Sequence, residues 1–276
     1  MPKKFEDLTF ADDGMFQAVL KDPKVSAEIV ELLLGVKVDH VEYPELEKVI
    51  EPFYTTKGVR LDVYLKDENK VIDVELQSYK FTELGKRMRY YEAMVDMDTL
   101  MKGQTYDRLK ESYILFICKY DPFLDSRGEP FGLSRYTFRN TCAENENVLL
   151  NDKSVKVVYN ASAFKDEKNE KVQAFLKFVQ KNDPGEDDLA NRLKALVEKA
   201  KQDETLRQEY LRMNLHDYDM IRIGREEGAK QKAVEAAVML VKDFKIEPEV
   251  AAEKIGAPLD KLLEVLKLKE EITVNA

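Results

Sequence analysis

Two alternating segments, GVRLDVYLK and KVIDVELQSY, separated only by Asp67-Glu68-Asn69, constrain this chain more than anything else in it. Apolar residues at every second position have the period of a strand, and so short a polar spacer leaves room only for a tight hairpin. With Glu68 and Asn69 as the turn, Leu65 faces Ile72, Val63 faces Val74 and Leu61 faces Leu76, which makes one face of the pair aliphatic. The other face opposes Tyr64 to Asp73, Asp62 to Glu75 and Arg60 to Gln77. Opposed Cβ atoms lie about 4.5–5.5 Å apart, and like charges in that relation are destabilising. Asp62 against Glu75 therefore needs either a divalent cation between the carboxylates or a face open to water, where charged strand residues are common. A slip of one residue would move a carboxylate onto the aliphatic face, so the alternation itself resists it.

Around the hairpin the period changes. Apolar positions 16, 19 and 20, then 29, 30, 33 and 34, predict helices broken at Pro23 and closed at Gly35, with Asp12 or Asp13 as a cap. Strands are expected over 36–43 and 48–54. Leu84, Met88, Tyr91 and Val95 repeat at helical spacing, with an end expected at Gly103, and the apolar run 113–118 reads as a buried strand closed by Asp121-Pro122. Further strands are expected in 135–142, 147–150 and 155–160. Beyond about residue 165 the pattern is helical: one helix through Val172, Phe175 and Val179, one running from Leu189 to Met213, one opened by Gly224-Arg225-Glu226-Glu227-Gly228, and a helical hairpin around Gly256-Ala257-Pro258. The organisation expected is an α/β core over residues 1–165 and an all-helical extension over 166–276 that serves self-association or docking, a possible homo-oligomer contact.

With 276 residues, 44% hydrophobic and 26 Tyr and Phe together, the chain is long enough and apolar enough to bury a core despite 35% charged residues. No apolar run approaches the roughly 18 residues of a membrane helix, and Glu6 and Asp7 interrupt the amino terminus where a secretory signal would be apolar. A cytoplasmic protein is expected. Two cysteines, Cys118 and Cys142, and two histidines, His40 and His216, make neither a zinc site nor a disulfide framework. A metal here should be a hard cation on carboxylates, Mg2+ or Mn2+. The net charge of −9 argues against coating nucleic acid through the overall field, but residues 57–119 are nearly neutral, so a polyanion is least repelled there.

The run RLDVYLKDENKVIDVELQ, then KRMRYYEAM, then KGQTYDRLKESYILFI, resembles the Rpn family of recombination-promoting nucleases and transposase-like proteins, a branch of the PD-(D/E)xK nuclease superfamily. The resemblance extends from Asp13-x-x-Phe16 through Asp121-Pro122-Phe123. It implies a restriction-endonuclease-like mixed sheet flanked by helices that hydrolyses DNA phosphodiesters with Mg2+, Mn2+ substituting. It further implies Asp62 and Glu75 as metal ligands, with the Leu76 carbonyl completing the set, and Gln77 at the position where the superfamily usually has Lys. Gln77 can orient water through its amide but carries no charge, so the cation must come from a second metal or from Lys57, Arg60 or Lys80. Arg87 and Tyr91, one helical turn apart in the Lys-Arg-x-x-Tyr-Tyr pattern, are candidates to reach a phosphate, with Tyr91 equally suited to an apolar stripe. Asp13 matches the family's opening as an accessory acid or serves only as a cap. The rival function is a nuclease-fold protein that binds DNA or assembles but cleaves weakly or not at all.

Overall fold

The computed structural model describes the backbone of residues 3–38, 45–50 and 58–274, and the side chains of these except 213–226 and 268–274. The predicted hairpin is its centre. Strands β2 (Val59–Lys66) and β3 (Lys70–Gln77) pair antiparallel with Val63 opposite Val74, Tyr64 opposite Asp73 and Leu65 opposite Ile72, the register the alternation requires. Asp67 closes the turn: its Oδ1 accepts from the backbone N–H groups of Asn69 and Lys70, both at 2.8 Å, an Asx geometry that replaces the missing glycine of commoner hairpin turns.

β1 (Glu45–Ile50) pairs antiparallel with β2, while β4 (Glu111–Cys118) and β6 (Ser154–Asn160) extend the sheet in parallel from β3, and β5 (Arg135–Phe138) pairs antiparallel with β6 at the edge. The result is a mixed six-stranded sheet in the order β1-β2-β3-β4-β6-β5. Because β3 and β4 are parallel, the chain needs a crossover between them, and α3 (Leu84–Thr99) supplies it. Leu84, Met88, Tyr91, Met94 and Val95 of α3 pack with Leu61, Tyr64, Val71, Ile114, Phe116, Cys118 and Val158, so Leu61, expected on the aliphatic face, lies instead in the cluster with α3, beyond the point where regular pairing with β3 ends. The hairpin face that sequence left open to either a cation or water is thus roofed by a helix.

The aliphatic face is covered by other helices. α1 (Asp13–Leu20) contacts β2, and α2 (Pro23–Leu34) receives a hydrogen bond from the Tyr159 hydroxyl to the Leu33 carbonyl at 2.7 Å. Asp22 caps α2 by accepting from the Lys24 N–H, and Gly35 ends it at φ 71°, a left-handed conformation that glycine adopts without a Cβ clash. α4 (Glu170–Lys181) sets Phe175 and Phe178 against Phe10, with ring centroids 6.0 and 5.5 Å apart. α5 (Asp188–Ala200) contacts α1 and α4.

The first compact unit accordingly spans Lys3–Arg207, and the second Gln208–Ala276. The sequence-based division at residue 165 misses α4 and α5, whose apolar stripes find partners on α1, α2 and Phe10 rather than on one another alone. The helix expected from Leu189 to Met213 is also two: α5 stops at Ala200, and α6 (Glu204–Phe244) starts after Asp203, whose Oδ1 accepts from the N–H groups of Thr205 and Leu206. α6 then runs through the Gly224–Gly228 stretch without a new start. In the second unit, Val234, Ala237 and Val238 of α6 pack with Ala251 and Ala252 of α7 (Pro248–Ile255) and Leu262 of α8 (Leu259–Val274), the expected helical hairpin. Residues 36–38 are not a strand, 147–150 contribute only an isolated bridge from Leu149 to Thr141, and the rest of the expected segments 36–43 and 48–54 that falls on 39–44 and 51–57 lies outside the described residues, as do Lys57, His40 and the His216 side chain.

Candidate active site

Regular pairing of β2 with β3 ends at Val63 opposite Val74. One residue further, side chains replace backbone in a reciprocal clasp: the Asp62 N–H donates to Glu75 Oε1 at 2.8 Å, and the Leu76 N–H donates to Asp62 Oδ2 at 3.3 Å. The two acids whose opposition stood out in the sequence therefore meet. Each caps a backbone group that the parting strands leave without a partner. Among the described residues the second oxygen of Asp62 takes no hydrogen bond, whereas Glu75 uses both of its own.

The other Glu75 oxygen, Oε2, accepts from Arg87 Nη2 at 2.8 Å. Arg87 is the hub of the site: Nη1 donates to Gln77 Oε1 and Nε to the Tyr91 hydroxyl, each at 2.8 Å, and its guanidinium lies 4.9 Å from the Tyr91 ring centroid and 5.3 Å from that of Phe116. Helical spacing makes this possible, because residues 87 and 91 lie one turn apart on the flank of α3 that looks toward β3. Sequence proposed Arg87 and Tyr91 as phosphate contacts, but Arg87 is directed inward, and Tyr91 is buried, with its hydroxyl pushed up to about 12 by burial and then by the Glu75 charge. Arg87 sets a guanidinium against Gln77, a cation not among those expected there, and of the expected ones Lys57 lies outside the described residues. Arg60 is exposed and pairs loosely with Glu47 at 3.6 Å, though its charge favours ionised Asp62 and Asp13. Lys80 is exposed, on the loop after β3.

Gln77 commits one acceptor to Arg87 and one donor, Nε2, to the Tyr79 carbonyl at 2.9 Å, which leaves one amide hydrogen and one lone pair for water. Asp13 stands at the start of α1 close enough for its charge to raise Asp62. It is not the cap: Asp12 precedes the helix, and the Asp12 carboxylate is taken by Thr9 and Lys3.

One acid was missed. Asp73, two residues before Glu75 on the same face of β3, is fully buried, and neither of its oxygens finds a donor. Its carboxyl is raised well above the ordinary range by burial and by the Asp62 charge. Glu75, only 1% exposed, is raised likewise by burial, then by Asp73 and Asp62, and Asp62 is pushed up to about 6 by burial and then by Asp13. The sequence signal was the pairing of Asp73 with Tyr64. An acid opposite a large aromatic on the face of a hairpin is covered if that face is covered.

Asp62, Asp73 and Glu75, if all ionised, set three negative charges against the single guanidinium of Arg87. Either protons or a divalent cation must compensate the excess, and hard carboxylate oxygens suit Mg2+ or Mn2+. The donor set therefore fits such an ion at Asp62 and Glu75. Among the described residues no group of three or more His, Cys, Asp or Glu is arranged to hold a metal ion.

A family model described as PD-(D/E)XK nuclease family transposase matches residues 28–222, which contain all six strands, α3 and every site residue above except Asp13. No curated protein and no solved structure matches the chain. With more than half of its length matched, and with its paired acids on adjacent strands, the chain belongs to the PD-(D/E)XK nuclease family transposases.

Proposed function

We propose that this chain is a metal-dependent DNA endonuclease acting in recombination or mobile-element biology, with Asp62 and Glu75 holding Mg2+, for which Mn2+ can substitute. The observation that carries the proposal is the clasp between Asp62 and Glu75 beside a buried excess of negative charge. A divalent cation supplies Lewis-acid stabilisation of phosphoryl oxygens and acidifies water. The chain's own groups do the rest. Arg87 fixes the Glu75 carboxylate and the Gln77 amide in one plane of hydrogen bonds, so neither has to reorganise during reaction. Gln77, with an amide hydrogen and a lone pair to spare, orients the attacking water. Asp13, exposed at the rim, accepts a proton from water or helps hold the cation. Phe116 and Tyr91 exclude solvent from behind Arg87 and strengthen its interaction with Glu75.

Conversion of supercoiled plasmid with Mg2+ tests the proposal, run with Asp62→Asn and Glu75→Gln alongside. Both substitutions should lower the rate by more than the roughly 10–100-fold typical of changes behind the ligands. Equal nicking by wild type and both variants would remove the assignment.

One observation favours the rival reading, a nuclease fold that binds DNA without efficient cleavage: both Glu75 oxygens are already engaged by protein groups. Divalent uptake without turnover would support it. For the second unit we propose self-association, since Met239, Phe244, Val250 and Ile255 are exposed there.

A further inference from the structure

Between β3 and α3 the chain passes through Ser78-Tyr79-Lys80-Phe81, a loop tied down at three points. The Ser78 hydroxyl donates to the Ala11 carbonyl at 2.6 Å, the Tyr79 carbonyl accepts from Gln77, and the Phe81 N–H donates to the Tyr120 hydroxyl at 2.9 Å. A loop fixed so firmly nevertheless holds the Tyr79 ring in solvent, 79% exposed, and leaves Phe81 42% exposed, with the Arg87 guanidinium 5.6 Å from the centroid of the Phe81 ring. Lys86, Arg89 and Tyr90 on the first turns of α3 are exposed as well. The exposed cations Lys80, Lys86 and Arg89 thus lie among the rings of Tyr79, Phe81 and Tyr90 next to the candidate site, with Lys86 also 3.1 Å from Glu83.

We propose that this segment binds unpaired DNA next to the scissile phosphate, Tyr79 stacking on a base while Lys80, Lys86 and Arg89 contact phosphates; the proposal rests on the nuclease reading above and names its substrate class. Ring faces of this kind are of use only to a base that is not already stacked within a duplex, because a paired base offers its edges and not its planes. The charge balance points the same way. At a net −9 the protein's overall field repels a polyanion, so affinity must come from local contacts, and stacking is the contact that salt does not screen. Anchoring of the Tyr79 carbonyl by Gln77 sets the distance between the stacked base and the catalytic acids, which makes the loop a gauge for where an unpaired stretch is cut.

The test is anisotropy titration of the full-length protein in EDTA, so that no cleavage intervenes, with three labelled probes: a 12-nucleotide single strand, the same strand made abasic throughout, and the corresponding duplex. The single strand should bind about ten-fold more tightly than either of the others, Tyr79→Ala should remove about that factor, and Tyr79→Phe should restore it. Contacts with three phosphates would give a salt slope near −2, and Lys80→Ala would lower its size by about 0.7. Equal binding of the abasic and base-bearing strands, or an unchanged affinity in Tyr79→Ala, overturns the proposal and reassigns the rings to a protein contact. Plasmid cleavage with no base-dependent binding would sink this inference and leave the nuclease intact. Base-dependent binding without cleavage would do the reverse.

Discussion

Replacing Arg87 by Met should give a protein whose loss of stability depends on pH in a way set by Glu75. Among the described residues Arg87 is the one guanidinium in contact with Glu75, at 2.8 Å, and the Glu75 side chain is 2% exposed. Removing one partner of such a pair costs about 3–5 kcal/mol if the other remains charged. Glu75 has an escape, which is to hold a proton, and its carboxyl is already raised above the ordinary range. A raised carboxyl keeps its proton in the native state after the unfolded chain has lost it, so native stability falls as pH rises between the unfolded and folded titrations. The substitution moves the folded titration higher still. Between the wild-type and variant titrations the penalty should grow by about 1.4 kcal/mol per pH unit, up to the 3–5 kcal/mol ceiling. At the acidic end, below the folded titration of either protein, the carboxyl is neutral in both, and the penalty is confined to the hydrogen bonds and ring contacts that Arg87 makes, about 1–2 kcal/mol. Urea unfolding at one acidic and one alkaline pH reads both regimes. Glu75→Gln in the Arg87→Met background should recover most of the alkaline penalty, and a penalty that is the same at both pH values, with no coupling between the two substitutions, would refute Arg87 as the counter-charge.

Other consequences follow from the same cluster. Divalent uptake and cleavage should fall as pH drops through about 6, where Asp62 takes up a proton, and Asp13→Asn should move that midpoint downward; a pH-rate profile that does not shift would separate Asp13 from Asp62. Asp73→Val, which removes a buried acid with no hydrogen-bond donor, should stabilise the protein at pH 8 by about 1–3 kcal/mol and do less at pH 5, as measured by urea midpoints. Cys118, buried and pushed up to about 12 by that burial, should stay silent to a thiol reagent in the native protein while Cys142 reacts; two fast thiols would contradict the packing of β4 under α3.

The sequence was most legible where one period is imposed by one geometry. Alternation over β2 and β3 set the hairpin register from Val63 opposite Val74 to the turn, because a slip exposes the aliphatic face, whereas the contact of Asp62 with Glu75 lies beyond that register and is made by side chains on backbone. It could not show that the polar face is roofed. That depends on the crossover from β3 to β4 laying α3 across it, a tertiary fact that turns Asp73 from a solvated acid into a buried one and turns Arg87 inward. The periodicity of α3 marked Met88, Tyr91 and Val95 correctly as the packed stripe, yet Arg87 lies at its flank, where spacing alone allows a side chain to go either to water or to the sheet. In the helical part, apolar repeats do not say where a helix breaks. Asp203 carried that signal as a cap before Glu204, and continuous hydrophobic spacing on either side concealed it. The segment 120–153, rich in turns and holding the short β5, offered too few residues per element for a period to emerge.

The central claim is that Asp62 and Glu75 jointly hold a divalent cation, and the most direct measurement is anomalous diffraction from crystals soaked in Mn2+. A peak within coordination distance of oxygens from both carboxylates, absent from Asp62→Asn crystals, is the expected result. Manganese-soaked crystals with no peak there, even with a DNA strand bound alongside, would contradict it.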